Sequence, residues 1–265
     1  MIASLRSELV KLIRLSTLLG YAVAAVGFTV MLTVVSILNA DNPSEHGPIK
    51  RVGIDFEQLA EPGGYLAGLE TASSFLGIVA LAMFASSVAA EFSTGTIRAL
   101  LVTDSRRRRL LAGKIAGLTI VLTAVVLLAA VVGSIVAFAM AGSQGVDTSA
   151  WATIDGLGEG AAIWATTALA TIIWGLFGAM IAMLSKSAAI SIAAGVAYFL
   201  IAEQLILHSL WPSTADWLPA GVLDALSQGG TDTLSFSGAL ALGAAYAAIV
   251  YVVTTTIFEQ RDITD

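Results

Sequence analysis

Cysteine is absent from this chain and histidine nearly so, with only His46 and His208, far apart in sequence. No disulfide framework, thiolate metal site or cysteine nucleophile is therefore open to it, and imidazole metal chemistry has few ligands to draw on. Two motifs are missing as well. Without a Gly-x-x-x-x-Gly-Lys-[Ser/Thr] phosphate loop the chain has no means of hydrolysing ATP itself, and without a His-Glu-x-x-His pair it lacks a helical zinc-hydrolase centre. An intramembrane hydrolase would need a nucleophile and base, or paired metal ligands, within its apolar segments. Only His208 stands near one. Charge is scarce, at 12% of residues, and no repeat marks inverted halves.

What is present is apolar. With 57% hydrophobic residues and a mean hydropathy of +0.87, the chain could not keep its apolar surface from water in an ordinary globular shape. The expected class is an all-α integral membrane protein, a single transmembrane domain over residues 1–265 with no soluble domain. A hydrocarbon core of roughly 30 Å needs about 20 apolar residues as helix. Six windows qualify, at about 16–39, 71–90, 115–141, 160–185, 187–207 and 237–258, the fifth interrupted by Glu203. All are expected to be helices, because an open strand leaves its backbone unsatisfied in lipid.

Ahead of the first window, residues 1–15 set Ile2, Leu5, Leu9, Leu12 and Ile13 on one helical face, with Ser4, Ser7, Glu8, Lys11 and Arg14 opposite. This pattern predicts an interfacial amphipathic helix. The apolar run that follows is too long for a signal-peptide core of about 7–15 residues, so the segment is expected to stay attached. Placing the N-terminus in the cytoplasm puts eleven of the thirteen Lys and Arg residues inside, leaving only Lys50 and Arg51 outside. That bias predicts cytoplasmic N- and C-termini. The segment 208–236, with Trp211, Trp217, Pro219 and an apolar piece Ala220–Leu226 ended by Gly229-Gly230, predicts a short helix at the outer interface.

The stretch Glu91–Lys114, between the second and third windows, gathers Arg98, Arg106, Arg107, Arg108, Arg109 and Lys114. Ser93 or Thr94 can cap a short helix in which Ile97, Leu100 and Leu101 share a face, and Asp104-Ser105 predicts a break and a second cap. The arginines then fall in the first turn of the third helix, where the macrodipole disfavours cations by a few tenths of a kcal/mol each. An anionic contact is expected for Arg107, Arg108 and Arg109. Two readings stand side by side: lipid phosphate under the positive-inside rule, or a partner protein. Nucleic acid is not expected as a partner, because one short membrane-bound basic run lacks the surface for it.

The order Glu91, Phe92, Gly95, Thr96, Arg98, Leu100, Leu101, Ser105, Arg106, Leu110 and Lys114, between the second and third of six spans, resembles the membrane subunit (permease) of ABC-2 type transporters. Those permeases commonly carry Glu-x-x-x-Gly-Thr-[Leu/Ile]-Arg, then Ser-Arg and a Lys at the start of the third span. The tail Phe258, Arg261, Asp262 and Ile263 resembles their short Phe-x-x-Arg-Asp ending. One departure is Thr103-Asp104, where family members often have a proline. The resemblance implies a cytoplasmic coupling helix that docks on a separate ABC ATPase. Two ATPase subunits would carry ATP and Mg, and a second permease copy or a sister permease would complete the path in a bacterial inner membrane. No cofactor is expected on this chain. Glu91, Gly95, Thr96, Arg98 and Arg106 are the residues implied to transmit the ATPase movement; for Glu91 the alternative is a helix-end carboxylate paired with Arg98 or Lys114.

Candidates for a translocation path between spans two and five are Phe75, Phe84, Phe199 and Glu203, and the alternative for the aromatic residues is plain packing. Glu203 lies about 24 Å along its helix from the inner end. As an ionisable residue within a span it is a functional candidate for lining the outer exit; the alternative is a carboxylate that reaches the outer interface or bonds Gln204 or His208. Glu70 reads as surface. Gly113 with Gly117, and Gly175 with Ala179, permit close helix approach. The function expected is export of a hydrophobic or amphipathic compound, a drug, peptide antibiotic or lipid. The alternative is an ion-coupled secondary transporter using Glu203. A structural membrane anchor would leave the coupling-like loop unexplained.

Overall fold

The computed structural model describes residues 15–40, 55–94, 107–207, 210, 214 and 216–260. The interfacial segment before residue 15, the central loop residues Gly95, Thr96, Arg98 and Arg106, and the tail from Arg261 lie outside the described residues. Within them the chain is helical, with no strand and one isolated bridge, Gly230 to Ser235. In chain order the elements are α1 (Leu15–Leu38), α2 (Phe56–Ala60), a 3-10 turn (Gly64–Leu66), α3 (Ala67–Thr71), α4 (Ser73–Ser93) and α5 (Arg107–Gln144). They continue with α6 (Ile154–Ser185), α7 (Ala188–Ala197), a π-helix (Tyr198–Leu207), α8 (Pro219–Ser227) and α9 (Phe236–Gln260).

Five of these, α1, α4, α5, α6 and α9, are long and apolar enough to cross a membrane. Their cores match the expected windows, α1, α4 and α9 to within three residues at each end, whereas α5 and α6 begin well before theirs. At 1.5 Å per residue, α5 is about 57 Å long and α6 about 48 Å, against a hydrocarbon core of roughly 30 Å. A window ends at the first charge, whereas a hydrogen-bonded helix continues past it. Arg107–Lys114 thus belong to α5, and Asp155 and Glu159 to α6. The fifth window departs more. A single regular helix over 187–207 is expected, but ten α-helical residues give way at Tyr198 to ten in π geometry.

Helix α6 is the hub, packing on α4, α7, α8, α9 and α5, while α1 packs chiefly on α5. The α4–α6 contact is close because its small residues admit it. A Cβ at Gly77 would stand 2.5 Å from the Trp174 ring, one at Gly175 would stand 2.8 Å from Phe84, and one at Gly178 would stand 2.3 Å from the Leu81 carbonyl oxygen. The expected role of Gly175 in helix approach is met, with Phe84 as the neighbour. Between α6 and α7 the chain reverses in two residues. Lys186 takes a left-handed conformation (φ 56°) as the α6 C-cap, and the Ser187 hydroxyl accepts from the Ile190 N–H at 3.4 Å to start α7. Along α5, Ile120, Leu127, Val131, Ile135 and Phe138 form an exposed apolar stripe, and α9 is the least covered of the five long helices. Lipid suits such surfaces.

Contacts along α4 fix the direction of its neighbours. Ser73, at one end, meets Ser227 of α8; Glu91, about 27 Å further along, meets Lys114 of α5. The Tyr21 hydroxyl bonds Ser86 at 2.7 Å, while Thr33 lies against Gly68, so α1 runs antiparallel to α4. Glu259 of α9 reaches Arg108 of α5, and Tyr65 meets Gly156 of α6. The bundle therefore has an α8 end and a Glu91 end. The α7 and π-helix segment runs between them, passing Leu81 at Gly195 and reaching α8 at Glu203.

Candidate functional site

At the Glu91 end the chain leaves α4 and re-enters at α5. The Lys114 Nζ donates to the Glu91 carboxylate at 2.7 Å, with the two side chains only 7% and 18% exposed. Of the two partners expected for Glu91, the structure brings up Lys114. Two helices leaving opposite ends of one loop are thus joined at the loop's base by a largely buried ion pair. Taking two charges out of water costs several kcal/mol each, so such a pair adds little net stability, whereas loss of one member leaves the other's cost in place.

The first turn of α5 carries Arg107, Arg108 and Arg109, as expected. The Arg108 guanidinium binds Glu259 through Nε and through Nη2, the latter at 2.9 Å, in a two-point exposed contact. An anion contact at this helix N-terminus is therefore supplied from within the chain for Arg108, by the last turn of α9. Arg109 is exposed. Sequence reasoning did not single out Glu259. Its neighbour Arg261 drew attention as part of the tail, and nothing in the local pattern says that α9 ends beside the start of α5.

Of the path candidates, Glu203 and Phe199 stand against α8. Glu203 is 3% exposed, and its Oε1 accepts from the backbone N–H of Ala220 and, at 3.3 Å, of Gly221. These are the second and third residues of α8, where N–H groups have no partner inside the helix. Leu218, the N-cap, offers no capping side chain, and Pro219 occupies the first position. The carboxyl group from the π-helix thus caps a helix about seventeen residues downstream, its oxygen placed at the end of the dipole that favours an acceptor. Glu203 does not reach an exposed surface. The Tyr198 hydroxyl neighbours the carboxylate, whose Oε2 is buried with no hydrogen bond of good geometry among the described residues. The Tyr246 hydroxyl of α9 donates to the Trp217 carbonyl at 2.7 Å nearby.

The aromatic candidates are packed. Phe84 is fully buried against Gly175; Phe199 meets Trp174 edge-on at 5.2 Å; Phe75 stacks on Phe28 at 5.0 Å and is half-buried. They do not share one surface. Phe199 and Trp174 join Leu81, Val222, Leu223 and Leu226 in an apolar cluster beneath α8, whereas Phe84 belongs to the larger core between α4, α5 and α6. Glu70, in α3 outside the five long helices, is half-buried rather than a surface residue, and burial pushes its pKa up. Among the described residues, no group of three His, Asp or Glu side chains stands ready for a metal ion.

No curated protein matches this chain in sequence. A family model with the description "Protein of unknown function (DUF2705)" matches residues 50–264, a stretch that runs from just before α2 past the end of α9. By that match over most of its length, the chain belongs to the DUF2705 family.

Proposed function

We propose that this chain is the permease subunit of an ATP-binding-cassette exporter, driven by a separate ATPase that docks on the loop between α4 and α5. The observation that carries the reading is the buried Glu91–Lys114 pair, which joins the first and last residues of the segment resembling a coupling loop. A force applied to residues 95–106 would reach both helices at once through that pair. Glu91 then acts as an anchor of the loop, with Gly95, Thr96, Arg98 and Arg106 as its docking residues. Arg108 is held by Glu259, so α9 shares in the movement. Arg107 and Arg109 are assigned to lipid phosphate or the ATPase.

In this reading the α7 and π-helix segment is a sixth span, both termini are cytoplasmic, and two permeases with two ATPases form the working unit in a bacterial inner membrane. The substrate is a hydrophobic or amphipathic compound. Charge reversal of the loop tests the reading. Changing Arg98 and Arg106 together to Glu is expected to leave the membrane-inserted chain intact while abolishing ATPase binding or uncoupling ATP hydrolysis from transport. A double variant that assembles and transports normally would remove the loop from the mechanism.

A further inference from the structure

We propose that Glu203 and the first turn of α8 form a latch that holds α8 across the end of the bundle, released by movement of the π-helix that carries the carboxylate. Helix α8 lies on the bundle by its apolar face, with Val222, Leu223 and Leu226 almost fully buried against Ile173, Trp174 and Phe199. Polar contacts fix both its ends. At the N-terminus the Ala220 and Gly221 N–H groups donate to Glu203. At the C-terminus the Ser227 Oγ lies 3.0 Å from Ser73 Oγ of α4, and the Thr166 hydroxyl of α6 donates to the Ser227 carbonyl at 3.3 Å. One short helix is thus tied to α4, α6 and the π-helix.

The two ends differ in kind. The Ser73 and Thr166 contacts come from long, regular helices in the packed core. The Glu203 contact comes from a stretch in i→i+5 geometry, an arrangement that is rare and recurs at functional sites. Returning this stretch to α geometry would rotate Glu203 about the helix axis and draw its carboxylate away from the N–H groups of α8. Since Leu218 offers no side-chain cap, the first turn of α8 would then lose the acceptor that satisfies it. The latch stands on this chain's own geometry and is measured without a partner subunit.

Because the chain contains no cysteine, a single introduced thiol reports on α8 alone. Val222→Cys places it on the buried face of α8, and Leu111→Cys, near the opposite end, is the control. In purified chain, Glu203→Leu is expected to speed maleimide labelling at position 222 on the order of tenfold, the effect of losing one charge-assisted contact, and to leave position 111 unchanged. Glu203→Gln, which keeps an acceptor oxygen but no charge, is expected to speed it about threefold, and carries the test if the leucine variant does not accumulate. An unchanged rate at position 222 overturns the latch. Equal acceleration at both positions also overturns it, since the carboxylate would then support the whole fold.

Discussion

Removing Glu91 should harm this protein more than removing Glu91 and Lys114 together. The two charges lie 2.7 Å apart with side chains 7% and 18% exposed. At an effective dielectric near 20 their attraction is about 6 kcal/mol, set against a desolvation cost of several kcal/mol for each ion, so the intact pair adds little net stability. Taking away one member forfeits the attraction and keeps the other member's cost. Glu91→Ala, which leaves the Lys114 ammonium buried without this carboxylate, is expected to cost about 3 kcal/mol. For a chain of this size that lowers the melting midpoint by roughly 6–12 °C. Lys114→Met should cost about the same or slightly less, because Glu91 is the more exposed partner. The double variant should return to within about 1 kcal/mol of the parent. Thermal unfolding in one detergent, followed by loss of monodispersity across the four proteins, closes the double-mutant cycle. Additive single effects would mean that the pair does not tie α4 to α5, and the proposed route for force through the loop's base would fall with it.

Two further outcomes follow from the packing. Gly178→Ala sets a methyl against the Leu81 backbone carbonyl, which cannot yield as a side chain would, and should cost about 1–3 kcal/mol. Gly142→Ala, in a helix with nothing within 4 Å, should be neutral or stabilise by about 0.5–1 kcal/mol; equal effects in a melting assay would contradict the close α4–α6 contact. The pKa of Glu70 is raised by burial, so the folded chain holds this proton more tightly than the unfolded one. Stability is then lost as pH rises from the ordinary carboxylate value through the raised one, and the loss is complete above it. Glu70→Gln should therefore melt higher than the parent at neutral pH, with the gap closing in acid; a gap independent of pH would mean that ionisation is not its cause.

The long helices were legible because a charge-free run of about twenty residues has few alternatives in lipid. Their overhangs were not, since hydropathy reports where the membrane ends and not where backbone hydrogen bonding ends. α8 was legible from Pro219 at its start and from Gly229 and Gly230 after it, both of which take positive φ. Its cap was half-legible. A helix that begins Leu218-Pro219-Ala220-Gly221 with no capping side chain calls for a foreign acceptor, but only the folded chain shows that this is Glu203. The switch to π geometry at Tyr198 left no mark in an apolar stretch that suits either hydrogen-bond spacing. The surroundings of Phe84 were equally hidden. A large aromatic residue in span two invites a path-lining role, and only the fold shows that it is buried against Gly175, ninety-one residues on.

Purification of the tagged chain from its native host membrane in a mild detergent tests the central claim most directly. The account predicts that a soluble protein bearing a phosphate-loop motif is retained, and that both its retention and the accompanying ATP hydrolysis are lost on charge reversal at Arg98 and Arg106. Recovery of the chain alone across several mild detergents, with no ATP hydrolysis, would contradict the permease reading.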